Sequence, residues 1–174
     1  LVFAAAPDLD KAAEAAASGI FYNQGEVCTA ASRLLVERSI QAEFVARVVE
    51  AGRKMQPRHP LDPGAPMGAM VDETQTKRVL GYIEKGVAEG AKLVLGGGRA
   101  EVVAGGCYIE PTVFDGVAHE HTISREEIFG PVLSVIGFDT EEQALRMAND
   151  TEFGLGAGVW TRDIARAHRV ARKL

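Results

Sequence analysis

The spacing of apolar and polar positions changes several times along the chain, and each change marks an element. Behind Pro7-Asp8, alanine-rich helical spacing predicts a helix over 9–20 with Asp8 as its N-cap; Gly19 and Gly25 mark its end and the loop beyond. Arg33–Glu37 (RLLVE) is a short continuous apolar run, the pattern of a buried strand. Phe44, Val45, Val48, Val49 and Met55 fall on one helical stripe, so a helix is expected from Gln41 to about Met55. Pro57, Pro60, Pro63 and Pro66 then impose an extended loop. A third helix is expected over 72–89, with Val79, Leu80, Ile83 and Val87 on its inner face.

The second half alternates in the same way. A strand at Lys92–Leu95 runs into Gly96-Gly97-Gly98. These glycines do not fit G-x-G-x-x-G and no helix signal follows, so they read as a flexible hairpin turn and not as a phosphate loop. Further strands are expected at Ile109–Val113 around Pro111, at Val132–Phe138 and at Gly158–Thr161, and LVFA reads as another at the start. Helices are expected over 141–149, where Thr140-Glu-Glu-Gln is a capping box, and after Asp163. Strands alternating with helices predict an α/β fold with a largely parallel sheet flanked by helices. The first residue is Leu1, the first segment is already apolar and the last helix has no cap; both ends read as cuts through a larger protein.

Composition narrows the function classes. With 174 residues the chain suffices for one compact domain with a sizeable core, and 47% hydrophobic with 25% charged residues is the mix of a soluble globular protein. No apolar run approaches the roughly 20 residues of a membrane span. The net charge is −5 and the basic residues are scattered, which argues against nucleic acid as a partner. The two cysteines, Cys28 and Cys107, form no CxxC pair, and none of the four histidines has a cysteine-rich neighbourhood, so no metal site is expected. His119-x-His121 reads as two exposed loop histidines. Free thiols and no signal sequence suggest the cytoplasm.

Two places could carry chemistry. Cys28 follows the first helix in Asn23-Gln-Gly-Glu-Val-Cys-Thr, where Gly25 permits a tight turn and Thr29, Ala30 and Ala31 leave space beside the sulfur. A thiolate there would be a covalent catalyst for a carbonyl carbon; the alternative is a buried structural thiol. Ser124-Arg-Glu-Glu-Ile-Phe-Gly-Pro-Val places Glu126 and Glu127 before an aromatic and a Gly-Pro turn. A carboxylate can accept both hydroxyls of a ribose, and a flat ring can pack on a flat heterocycle; the alternative is a charged helix end leading into a strand. Glu26 reads as a loop carboxylate, since sequence neighbours need not lie within hydrogen-bond reach. Cys107 reads as a structural thiol.

Taken together, Phe21-Tyr-Asn-Gln-Gly-Glu-Val-Cys28, Glu126-Glu-Ile-Phe-Gly-Pro-Val132 and Ala148-Asn-Asp-Thr-Glu-Phe-Gly-Leu155 resemble the aldehyde dehydrogenase superfamily over essentially the whole chain. Ile20-Phe-Tyr-Asn-Gln-Gly, Gln56-Pro-Arg-His-Pro-Leu-Asp-Pro and Trp160-Thr-Arg-Asp resemble, more narrowly, the bacterial γ-glutamyl-γ-aminobutyraldehyde dehydrogenases of putrescine breakdown. The resemblance implies that residues 1–174 are part of a catalytic domain of that type. It implies that Cys28 attacks the aldehyde, that Glu127 holds the nicotinamide-side ribose, that Phe129 packs near the nicotinamide and that Gln75 contacts the cofactor ribose. Arg78 stands where the family commonly has lysine, Glu26 where many members have glutamine, and Thr29 is expected to face the substrate.

The cofactor implied is NAD or NADP, the substrate a small aldehyde, and the whole protein a homo-oligomer. The general-base glutamate, the dinucleotide-binding domain and the oligomerisation strand are expected outside residues 1–174, so the chain alone is expected to be inactive. A CoA-acylating member, a semialdehyde dehydrogenase and a non-catalytic interaction module with a buried Cys28 stand as alternatives.

Overall fold

The computed structural model describes residues 1–174. Its centre is a four-stranded sheet in the order β1-β4-β3-β2, built from β1 (Arg33–Glu37), β2 (Lys92–Leu95), β3 (Thr112–Asp115) and β4 (Val132–Phe138). β1, β4 and β3 are parallel neighbours, and only the edge strand β2 is antiparallel. Parallel strands are covered on both faces, which explains why RLLVE and VLSVIGF read as near-continuous apolar runs.

Side-chain alternation splits these strands between two cores. Leu34, Val36, Val113, Leu133 and Val135 face helices α1 (Leu9–Phe21) and α2 (Gln41–Arg53). Leu35, Phe114, Val132, Ile136 and Phe138 face the opposite layer, formed by α3 (Glu73–Ala88), α5 (Glu141–Asn149) and α6 (Ile164–Ala171). The short helix α4 (Thr122–Arg125) leads towards β4. The expected α/β fold with a largely parallel, helix-flanked sheet is therefore the observed one.

Most helix starts lie where their caps were read. Asp8 and Asp163 each accept a backbone N–H three residues on, and Asp72, read only as the start of its helix, does the same. Thr140 caps α5 through Gln143 N–H, but the reciprocal bond goes one residue further out, from Asp139 N–H to Gln143 Oε1.

Several local expectations change. LVFA and Gly158–Thr161 are not strands: Val2 alone pairs, between Val36 and Trp160, because the chain turns at Ala4-Ala5 on one side and exposed glycines precede Trp160 on the other. Gly19 does not end α1 but lies inside it. Val87 is 52% exposed, and the inner face of α3 is made instead by Thr76, Val79, Tyr82, Ile83 and Gly86. The segment after α2 folds back on itself: Arg58 N–H reaches Met67 O at 3.0 Å, closing off the turns at 60–64. Gly96–Gly98 are not a hairpin turn; they pack as an irregular edge, with Gly97 N–H on Thr112 Oγ1 at 3.0 Å and Glu110 N–H on Gly98 O at 3.0 Å. The third strand begins later than expected, at Thr112.

Candidate active site

Parallel pairing decides where the two sequence motifs meet. β1 and β4 are neighbours running the same way, with Arg33 opposite Ser134, and Ser134 N–H donates to Ser32 O at 2.9 Å. Whatever precedes β1 therefore lies beside whatever precedes β4. The segment before β1 holds Cys28; the segment before β4 holds Glu127, Phe129 and Gly130.

The contact between them is close. After α1, Asn23, Gln24 and Gly25 follow one another in the left-handed region, at φ 48°, 58° and 72°. Each left-handed non-glycine residue costs about 1–2 kcal/mol, so the surrounding structure must hold this turn in place. A Cβ on Gly25 would lie 2.2 Å from Gly130 O, so only glycine allows this approach. Gly130 is restricted in turn, since a Cβ there would lie 2.5 Å from Val79. Three residues beyond Gly25, Cys28 occupies the corner of a turn closed by Ala30 N–H on Val27 O at 2.9 Å. Cys28 and Thr29 are both exposed, so the thiol is not buried within residues 1–174. The backbone N–H of Cys28 has no acceptor in the protein and remains available to a ligand.

Side chains of this loop fasten it to residues 68–71. Gln24 Oε1 accepts Gly68 N–H at 3.0 Å, and the Glu26 carboxylate accepts Val71 N–H at 3.2 Å. Glu26 therefore braces the loop, in keeping with its reading as a non-catalytic carboxylate. The same stretch reaches Cys107, whose carbonyl takes Met70 N–H at 2.7 Å. Cys107 is half-buried, with its thiol 3.7 Å from Glu73.

The second segment is held by α3. Gln75 Nε2 donates to Ile128 O at 3.2 Å and to Phe129 O at 2.8 Å. Arg78 donates to Glu127 O at 3.2 Å, and Tyr82 OH to Glu126 at 2.7 Å. Phe129 is itself left-handed, at φ 57°, with its ring 36% exposed. The Glu127 carboxylate takes no hydrogen bond or ion pair from the protein, whereas that of Glu126 is engaged. An unengaged carboxylate beside an exposed ring fits a ribose with a flat heterocycle. Asn23, Gln24 and Phe129 are the non-glycine residues with positive φ in the chain, and all belong to this site.

The third motif acts as a brace. Asp150 accepts from His119 Nε2 at 2.6 Å and from Arg125 at 3.0 Å, just before Glu126. Hydrogen bonds from His119 and then Arg125 hold its carboxyl below the usual carboxylate range. Asn149 ties the end of α5 to Lys173 O at 2.7 Å. His119 is thus a partly buried, paired histidine and not the exposed one expected; His121 accepts Ala118 N–H. The sequence reading missed Gln24, Tyr82 and Asp150 as site supports. Gly25 and Gly130 were the legible trace of the close approach, but only a pairing register relates them.

The whole chain, residues 1–174, matches the model of the aldehyde dehydrogenase family. It is 51% identical over 174 residues to the NADP/NAD-dependent aldehyde dehydrogenase PuuC of Escherichia coli strain K12, covering 100% of this chain and 34% of PuuC. Its fold matches γ-glutamyl-γ-aminobutyraldehyde dehydrogenase from Burkholderia cenocepacia J2315 with a TM-score of 0.96 and 55% identity, over 99% of this chain and 35% of that one. The P. syringae indole-3-acetaldehyde dehydrogenase AldA, in complex with NAD+ and IAA, matches with a TM-score of 0.97 and 55% identity, over the same shares. The chain spans about a third of the length of these relatives.

Proposed function

Because the chain belongs to the aldehyde dehydrogenase family, we propose that it carries the nucleophile and part of the cofactor site of an NAD(P)-dependent aldehyde dehydrogenase. One observation supports this above the others: Gly25 seats Gly130, so the Cys28 turn and the Glu127–Phe129 segment are built as one site. NAD+ in the AldA complex and the NADP/NAD dependence in PuuC's name support the cofactor class.

The roles proposed are those the family resemblance implies, and the geometry supports them. Cys28 Sγ, at an exposed corner, attacks the aldehyde carbon as a thiolate; a C–S bond forms and the carbonyl electrons move to oxygen. The Cys28 N–H donates to that oxyanion, and such a donor is worth about 3–4 kcal/mol. Thr29, also exposed, lines the substrate side. Glu127 would accept the ribose hydroxyls and Phe129 would pack against the nicotinamide, which would hold the reacting atoms in line. The cofactor, when bound, supplies the hydride acceptor. Loss of hydride leaves a thioester on Cys28; water hydrolyses it, releasing the carboxylic acid and regenerating the thiol. Glu26 accepts Val71 N–H, which supports a bracing role, and the family reading places the base for that step on a glutamate outside residues 1–174.

We assign the substrate as a small aldehyde, with γ-glutamyl-γ-aminobutyraldehyde first among candidates on the strength of PuuC's and the Burkholderia enzyme's likeness. The same reading has the protein act in the cytoplasm as a homo-oligomer, and expects no turnover from residues 1–174 alone. The deciding experiment is alkylation of the full-length protein. Iodoacetamide is expected to label Cys28 faster than Cys107 and to abolish NAD(P)H production in step. Equal labelling with activity retained would falsify the nucleophile assignment. A panel of γ-glutamyl-γ-aminobutyraldehyde, betaine aldehyde and succinate semialdehyde then ranks the substrates.

A further inference from the structure

Helix α3 reads the segment before β4 residue by residue. Positions 75, 78, 79 and 82 lie on one helical face, at the spacing that stacks side chains in a row. Tyr82 meets Glu126, Arg78 meets Glu127 O, Gln75 meets Ile128 O and Phe129 O, and Val79 fills the place of a Cβ on Gly130. Gln75 is central to this. Its single amide nitrogen carries two protons and donates to two successive carbonyls, at 3.2 and 2.8 Å. Those carbonyls flank Phe129, whose backbone is left-handed although it is not a glycine. A phenylalanine in that region is strained and relaxes unless its neighbours over-determine it.

We infer that Gln75 is a positioning residue. Its side-chain amide locks the left-handed turn at Phe129, so that the Phe129 ring and the Glu127 carboxylate face the site. Gln75 then acts on a cofactor through that turn. The assignment of what Glu127 and Phe129 hold rests on the function proposed above; the lock itself does not.

The two parts separate experimentally in the full-length protein. Gln75→Met keeps the length of the side chain and removes both donors. Without added cofactor, amide hydrogen exchange across residues 126–132 is expected to accelerate about tenfold, with the β1 and β4 amides unchanged as the internal control of folding. The KM for the nicotinamide cofactor is expected to rise roughly fivefold or more while the aldehyde KM stays close to its original value. Gln75→Lys restores donors to both carbonyls without the amide oxygen and is expected to recover slow exchange and most of the cofactor KM. Unchanged exchange in Gln75→Met overturns the inference, and a raised cofactor KM alongside it makes Gln75 a direct contact instead. Faster exchange with an unchanged cofactor KM leaves the lock standing and removes the cofactor role of Glu127 and Phe129.

Discussion

The two ends of the parallel strands are built differently. At their amino ends, before β1 and β4, lie the exposed Cys28, two glycines that touch and every left-handed non-glycine residue of the chain. At their carboxyl ends lies a cleft of about 460 Å³ bordered by Arg38, Gln41, His119, Gln143 and Arg146. Its backbone is unstrained, and most of its polar groups already have partners: Arg38 with Asp139, Gln41 with Asp115, His119 with Asp150. Open α/β sheets usually bind ligands at the carboxyl ends of their strands. Here strain, an unengaged carboxylate and an exposed thiol gather at the opposite end. Backbone strain favours the amino end as the candidate site over the cleft, because strain persists only where surrounding contacts hold it.

Substitutions can break this contrast, and the largest effect is expected at Cys28. Cys28→Ala in the full-length protein should lower aldehyde-dependent NAD(P)H formation by about a thousandfold or more, while Cys107→Ala leaves it close to wild type. A comparable loss from Cys107 would place the chemistry elsewhere.

Next comes Gly25→Ala, which forces a Cβ to 2.2 Å from Gly130 O at a φ of 72°. Denaturant unfolding should show a loss on the order of 2–4 kcal/mol. An unperturbed midpoint would mean that the two segments do not touch as described.

A smaller effect concerns acid. The Asp150 carboxyl is held below its usual value by His119 and Arg125, so its folded state binds a proton less readily than its unfolded state. Its contribution is complete above the unfolded carboxylate pKa and is lost as pH falls through the depressed folded value. Asp150→Asn should therefore lower stability at neutral pH and flatten its decline in acid; parallel acid titrations of the two proteins would contradict this. The smallest change is expected at the carboxyl end, where Arg146 is exposed. Arg146→Ala should alter stability by no more than about 0.5 kcal/mol, with turnover intact. A large loss of activity there would move the site to the cleft.

Much of the fold was legible because local chemistry marks it. Asp8, Asp72, Thr140 and Asp163 cap helices where a short polar side chain precedes an apolar stripe. RLLVE and VLSVIGF read as buried strands because parallel strands are apolar on both faces. Local pattern misled where pairing partners decide. LVFA and Gly158–Thr161 have strand composition but pair over one residue each, and Gly96–Gly98 look like a turn yet pack against Thr112 and Glu110. In the candidate site, Cys28, Glu127 and Phe129 were singled out through motif resemblance. The bracing by Gln24 and Glu26, which bond distant backbone N–H groups, and by Tyr82, which bonds the Glu126 carboxylate, carries no sequence mark, since spacing does not show which distant partner a polar group meets.

The sequence by itself determined the helices, the principal strands, the α/β class and the family, because periodicity, capping and motif residues are written in the order of the chain. The tertiary structure decided that the segments holding Cys28 and Phe129, about a hundred residues apart, lie side by side, since only the pairing of β1 with β4 sets them there. It also decided that Cys28 is exposed and that the Asp150 motif is a brace. Exposure and long-range hydrogen bonds depend on the neighbours that packing brings, and spacing along the chain does not encode them.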